Sequence, residues 1–264
     1  QVGYASDVGR RYVATENEDM LLVVQGICIN LALPPRPFGL FAVADGLRVP
    51  QGRSAGGHEA SRLAIETIAD VLVPQLAASS RSSSYRIPTP NSSFISGTKQ
   101  ASRISKPLPL PDSILEQWLR ESVRQANQVI YHCNADYEAT MESTLTVVMM
   151  YKHHLYVANV GDSRAYHYNA VKGLRRVTPD HTMNMTLGQS SSTPIDLFQS
   201  DVEPGELVLL CTDGLWKMLP DERLKELLAQ GRSGDPQKLT RTLVDAANLA
   251  GGEGNVSAIV VRVQ

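Results

Sequence analysis

Three acidic places in this 264-residue chain stand at the ends of apolar runs. Ala44-Asp45-Gly46 closes the run Gly39 to Ala44, and Thr212-Asp213-Gly214 closes Gly205 to Cys211. Glu18-Asp19 opens the run Met20 to Leu33. Carboxylates fixed at strand ends are well suited to hard divalent cations, because Mg²⁺ and Mn²⁺ take oxygen ligands and keep several waters. A glycine after the aspartate lets a backbone carbonyl approach an ion closely. Taken singly, an Asp-Gly pair is more often a plain turn signal. The six histidines, His58, His153 and His154 among them, show no ligand spacing. The His-rich ligand set of many other metal hydrolases is therefore missing. His181, in an Asp-His-Thr turn, reads as structural.

The elements that must position these acids follow from the hydrophobic pattern. Val2 to Asp7 and Met20 to Leu33 read as strands, Pro34, Pro35 and Pro37 as a turn, and Gly39 to Ala44 as a fully buried strand. Helical spacing of Ala60, Leu63, Ala64, Thr67, Ile68, Val71 and Leu72 predicts a helix from about Gly57 to Gln75. A second helix is expected from about Asp112, capped by Asp112 or Ser113, with Leu115, Trp118, Leu119, Val123, Ala126, Ile130 and Cys133 on one face. Strands are expected at Ser143 to Tyr151, Leu155 to Val160, Arg164 to Tyr168, Leu174 to Thr178, Gly205 to Cys211 and Asn255 to Val263. Helices at Pro220 to Gln230 and Asp235 to Ala250 separate the last two. Long helices between groups of hairpin-linked strands do not make the alternating order of a parallel sheet. The consistent class is α+β, with antiparallel sheets covered by helix pairs.

Between these elements, residues 79–110 are dominated by Ser and Pro and read as a disordered insertion in a single domain spanning 1–264. The net charge of −2 gives no electrostatic footprint for nucleic acid. No apolar run has membrane-spanning length, and no secretory signal is visible. Cys28, Cys133 and Cys211 are far apart in apolar segments and read as buried free thiols of a reducing, cytoplasmic compartment. The chain starts at Gln1 without a methionine, so a domain cut from a longer multidomain protein is the expectation.

The order of the motifs decides between the turn and metal readings of the acids. Asn17-Glu18-Asp19, Val43-Ala44-Asp45-Gly46, the stretch Ala158 to Ala165 (ANVGDSRA), Thr178 to Thr182 (TPDHT), Leu210 to Trp216 (LCTDGLW) and Gly251 to Ser257 (GGEGNVS) follow one another. This series resembles the metal-dependent protein phosphatases, the PPM or type 2C serine/threonine phosphatases, and is closest to their bacterial branch. The resemblance runs the length of the chain apart from the Ser/Pro insertion. It implies a four-layer αββα sandwich, two antiparallel β-sheets flanked by helix pairs. It also implies two Mg²⁺ or Mn²⁺ ions bridging a water that attacks the phosphorus of a phosphoserine or phosphothreonine. By motif, Asp45 would bridge both ions, the Gly46 carbonyl would bind the second and Asp213 the first, and Glu18 and Asp19 would hold waters on the ions. Asp162 and Arg164 are expected to buttress their turn.

The pattern breaks in four places. The closing motif of active members, Gly-Gly-x-Asp-Asn, has Gly254 where a metal-binding Asp is expected. The Arg that grips substrate phosphate is replaced by Ala14, unless a two-residue insertion brings Arg11 into that role. The loop after Asp45-Gly46 is expanded to Gly57 and carries Arg48 and Arg53, read as solvated. Glu142 stands where a glycine allows close packing. Two functional readings remain in balance. One is a phosphoprotein phosphatase with weakened or lost metal-dependent hydrolysis. The other is a pseudophosphatase that binds a phosphoprotein or a signalling partner.

Overall fold

The computed structural model describes residues 1–10, 16–30, 33–47, 56–78, 111–181 and 185–264. Strand β1 (Val2–Asp7) precedes a long hairpin of β2 (Asp19–Asn30) and β3 (Leu33–Leu47), then helices α1 (Gly57–Ala78) and α2 (Asp112–Tyr137). Six strands follow: β4 (Glu142–Ser143), β5 (Leu145–Tyr151), β6 (His154–Val160), β7 (Arg164–Asn169), β8 (Gly173–Arg176) and β9 (Asp196–Asp201). The chain ends with β10 (Leu207–Cys211), the short α3 (Asp213–Trp216), α4 (Asp221–Gly231), α5 (Pro236–Ala250) and β11 (Val256–Arg262).

The strands form two antiparallel sheets, ordered β1-β11-β10-β7-β8 and β2-β3-β5-β6-β9, with β4 paired to the end of β3. Side chains alternate faces along a strand, and the apolar residues of these strands use both faces. On β3, Leu40, Ala42 and Ala44 join α1 and α2 in one core, while Phe41 and Val43 face the other sheet. On β10, Leu207, Leu209 and Cys211 pack with α4 and α5, while Val208 and Leu210 point inward. Each sheet is thus buried on both sides, and the layers run helix, sheet, sheet, helix as expected. Among the described residues, no helix is long and apolar enough to cross a membrane.

Four local expectations are corrected. The prolines 34, 35 and 37 lie inside β3, with Pro37 opposite Ile27 and Leu33 opposite Asn30. The second neighbour of β3, β5, pairs only from Phe38 onward, so the missing N–H groups fall where β3 is flanked on one side. Asp112 does not cap α2, whose N-cap is Pro111 with no side-chain bond. Its Oδ1 instead accepts the hydroxyl of the buried Tyr156 at 2.6 Å, a group that needs a partner. Strand β9 and helix α3 were not expected. Cys211 is a buried free thiol, but Cys133 is only half-buried. The side chain of Cys28 and the insertion 79–110 lie outside the described residues, as do Arg11, Ala14, Arg48 and Arg53.

The outer edge of β1 is closed by a side chain. Tyr4 N–H donates to Gln237 Oε1 at 3.1 Å, and Tyr4 C=O accepts from Gln237 Nε2 at 2.8 Å. Gln237 is held at the start of α5, where Asp235 caps its N–H at 3.0 Å.

Candidate active site

The two-residue period that builds the inter-sheet core also builds a polar end to it. Inward-facing positions run Phe41, Val43, Asp45 on β3 and Val23, Leu21, Asp19 on β2. On β10 they run Val208, Leu210 and then Thr212 just beyond the strand, and on β11 Val261, Ile259, Ser257. At one end of the sandwich four strands therefore turn from apolar to polar on the same face. Asp213, the first residue of α3, follows Thr212 at this mouth. Asp45 ends a strand of one sheet and Asp213 follows a strand of the other, so they are neighbours across the sandwich and not along one sheet.

Hydrogen bonds fix each backbone here. Asp45 N–H donates to Thr144 Oγ1 at 3.1 Å, while its carbonyl accepts from Thr144 N–H at 2.9 Å and Ser143 Oγ at 3.0 Å. Thr144 Oγ1 lies 2.8 Å from Ser163 Oγ, which ties the Asp45 strand to the Gly161-Asp162-Ser163 turn. Asn255 Oδ1 accepts from Glu18 N–H at 2.9 Å, and Asn17 Oδ1 from Asp19 N–H at 3.1 Å. Gly46 has no room for a side chain: a Cβ there would fall 2.1 Å from Gly57 O. The backbones at the end of β3 and the start of α1 therefore touch.

The carboxylates are crowded. Asp19 is 5% exposed, its Oδ2 accepts from Thr212 Oγ1 at 2.8 Å, and its Oδ1 is buried with no hydrogen-bond partner among the described residues. Burial pushes the Asp19 carboxyl up to about 7, against the pull of the Ser257 and Thr212 hydroxyls and with the help of the Asp213 charge. Asp45 is pushed well above the usual carboxylate range by burial and by the charges of Asp19 and Asp213. Asp162 is raised as well, by burial and then by Asp213. Among the described residues one cation answers this charge. Lys217 Nζ donates to Asp213 Oδ2 at 2.5 Å and stands 3.8 Å from Asp162 Oδ2. Beside Asp19 an open groove of about 720 Å³ runs between β1, β2 and α5, lined by Tyr4, Asp7, Asn17, Gln237 and Arg241 among others.

With this geometry in hand, the comparisons are specific. The family model described as "Protein phosphatase 2C" matches residues 36–246. The chain belongs to the protein phosphatase 2C family. A serine/threonine phosphatase of Listeria welshimeri is 28% identical over 174 residues, covering 56% of this chain and 68% of the relative. Among solved structures, PppA of Pseudomonas aeruginosa, titled a key regulatory component of T6SS, shares the fold with a TM-score of 0.72 at 23% identity, covering 100% of this chain and 97% of that one. The catalytic domain of the phosphatase PstP in complex with two manganese ions has a TM-score of 0.68 at 22% identity, covering 100% and 99%.

Within this phosphatase 2C fold the expected residues fall as follows. Asp19, Asp45 and Asp213 share one electrostatic site, with Gly46 beside them. Glu18 is 5% exposed and its Oε1 lies 2.9 Å from the place a Cβ would take on Gly57, so it sits against the start of α1. Arg164 buttresses as expected: it bonds both oxygens of Asp180 at 2.7 and 2.6 Å and stacks 3.4 Å over the Trp216 ring. His181 is structural, accepting Gly161 N–H on Nδ1 at 3.2 Å and facing Asp196 at 2.8 Å. Glu142 accepts from Thr186 Oγ1 at 2.6 Å. Asp162 does more than brace its turn, since its carboxyl belongs to the acid cluster, while its carbonyl accepts the Trp216 indole N–H at 3.0 Å. Lys217 was missed, one residue beyond the motif that ends at Trp216.

Among the described residues no group of three or more His, Cys, Asp or Glu side chains is gathered as a ready metal cage. The donor set nonetheless fits a hard divalent cation. The donors are carboxylate oxygens, one buried oxygen of Asp19 lacks a partner among the described residues, and the negative charges are too close to be stable together without a cation.

Proposed function

We propose that this domain hydrolyses phosphoserine and phosphothreonine monoesters of proteins in the cytoplasm, with Mg²⁺ or Mn²⁺ held by Asp45, Asp213, Asp19 and the Gly46 carbonyl, and that its metal-dependent turnover is weak. The observation that carries the reading is the convergence of Asp19, Asp45 and Asp213 on one polar mouth, with Asp19 Oδ1 buried and unbonded among the described residues. The relative crystallised with two manganese ions supports the choice of metal. When bound, such ions supply a lowered water pKa and neutralise charge on the transferring phosphoryl group. The chain's own residues do the rest. Thr212 and Asn17 orient Asp19, Ser143 and Thr144 fix Asp45, and the groove beside Asp19 leaves room for the peptide that carries the phosphate. Glu18 stays in this proposal as a residue that holds solvent at the site. Arg11 is the proposed phosphate grip.

Weak turnover is argued from Gly254. It offers no carboxylate where the family pattern has one, and among the described residues, its chain neighbours apart, no atom stands within 4 Å of the place its Cβ would occupy. The same observation favours the second reading, a pseudophosphatase that binds a phosphoprotein or signalling partner without cleaving it. Titrating Mn²⁺ against hydrolysis of an aryl phosphate and a phosphothreonine peptide separates the two. Slow, Mn²⁺-dependent hydrolysis lost in Asp213→Asn supports the enzyme. Peptide binding without hydrolysis at any Mn²⁺ concentration supports the pseudoenzyme.

A further inference from the structure

Lys217 occupies a place where a cation has work to do. It follows the single-turn helix α3, its N–H bonded to Asp213 O at 2.9 Å, so its side chain stands one turn beyond Asp213. Its ammonium meets Asp213 Oδ2 at 2.5 Å and is within 3.8 Å of Asp162 Oδ2. The stem is steered by Trp216, whose ring centroid lies 5.3 Å from Nζ. Trp216 is itself fixed by Arg164 on its face and by the Asp162 carbonyl on its indole N–H. A freely solvated lysine has no such scaffold. Asp162 and Asp213 are 31% and 28% exposed at their side chains, so the pair lies at the mouth and not on open surface.

We propose that Lys217 is a tethered counter-ion of the acid cluster, which neutralises Asp213 when no metal is bound and competes with a divalent cation for the Asp213 carboxylate. The inference rests on the reading of Asp213 as a metal ligand. A lysine half-exposed at its side chain can leave at small cost, and its charge repels a divalent cation brought to the same carboxylate. Metal and Lys217 therefore compete, and the metal-free protein keeps a compensated site.

The test is Mn²⁺ binding by calorimetry, with thermal melting in EDTA, on the wild-type chain and on Lys217→Met and Lys217→Gln. Both variants keep the length of the stem and remove the charge. The expected result is Mn²⁺ binding about fivefold tighter in both variants, together with a lower melting temperature in EDTA that Mn²⁺ restores. Unchanged affinity, or weaker affinity, in both variants overturns the proposal and leaves Lys217 as a surface ion pair. Asp45→Asn and Asp213→Asn serve as controls for the site itself. If the wild type binds no Mn²⁺, or if both control variants bind it as tightly as wild type, the metal reading of the site fails first and the competition fails with it.

Discussion

Asp19 and Asp45 stand directly opposite each other as the last rung of the β2–β3 ladder, two carboxylates on the same face of one sheet. Like charges directly opposite across antiparallel strands are destabilising, and burial makes the pair worse. The arrangement is a cost to the fold that only a cation or a shared proton relieves. Asp45→Asn is therefore expected to raise the melting temperature of the metal-free protein by about 2–4 °C, on the order of 1 kcal/mol. It should also abolish the stabilisation that Mn²⁺ gives. Differential scanning calorimetry with EDTA and with Mn²⁺ reads both, and a variant less stable than wild type in EDTA would count against the pair as a source of strain.

Gly254 can be tested by restoring an acid. Its φ of 73° is left-handed, and among the described residues, its chain neighbours apart, no atom lies within 4 Å of a Cβ placed there. The left-handed backbone costs an aspartate about 1 kcal/mol. Gly254→Asp should lower the metal-free melting temperature by about 2–4 °C and tighten Mn²⁺ binding by about tenfold or more, as ligand charge rises. Calorimetric titration decides it. An unchanged dissociation constant would mean that position 254 does not face the ion.

A pH effect is expected far from the mouth. Glu206 accepts from His167 Nε2 at 2.7 Å, from Glu203 N–H at 2.9 Å and from Asn169 Nδ2. Burial alone would raise its carboxyl, but the Glu203 N–H, Asn169 and His167 outweigh that and hold it below the usual range. The unfolded chain then binds the proton more readily than the folded one. The stabilisation is present above the unfolded pKa of about 4.3 and is lost as pH falls through the lower folded value. The melting temperature of the wild type should fall more steeply than that of Glu206→Gln between about pH 5 and pH 3. Parallel curves for the two proteins would remove Glu206 as the cause.

The sequence exposed most of the architecture because buried strands carry an unmistakable pattern. Runs such as Gly39 to Ala44 and Leu207 to Cys211 are apolar on both faces and can only lie between layers. Strand β9 escaped because it is the edge of its sheet, and its residues, Asp-Leu-Phe-Gln-Ser-Asp, are mostly polar. The prolines misled because a proline speaks about its own N–H and not about the number of strands beside it. At the site, Asp19, Asp45 and Asp213 were legible from strand ends. Asp162 and Lys217 were not, since their part depends on which turn lies over which strand end. The Trp216 indole bond to the Asp162 carbonyl brings those two turns together, and nothing local in either segment announces it.

The bond pair between Gln237 and Tyr4 has a consequence for how molecules of this protein meet. An edge strand with open N–H and C=O groups is a template on which another chain can grow. Here the five-stranded sheet ends at β1, and the outward donor and acceptor of Tyr4 are already taken by one amide side chain. Gln237 acts as a one-residue imitation of a neighbouring strand. A second copy, or a misfolded segment, that tried to extend the sheet at Tyr4 would first have to evict an amide anchored by the capped end of α5. The ring of Tyr4 is 54% exposed, so the patch is apolar enough to attract company, while its backbone offers that company nothing to bond. The plug blocks strand addition at Tyr4, on the β1 edge of this sheet.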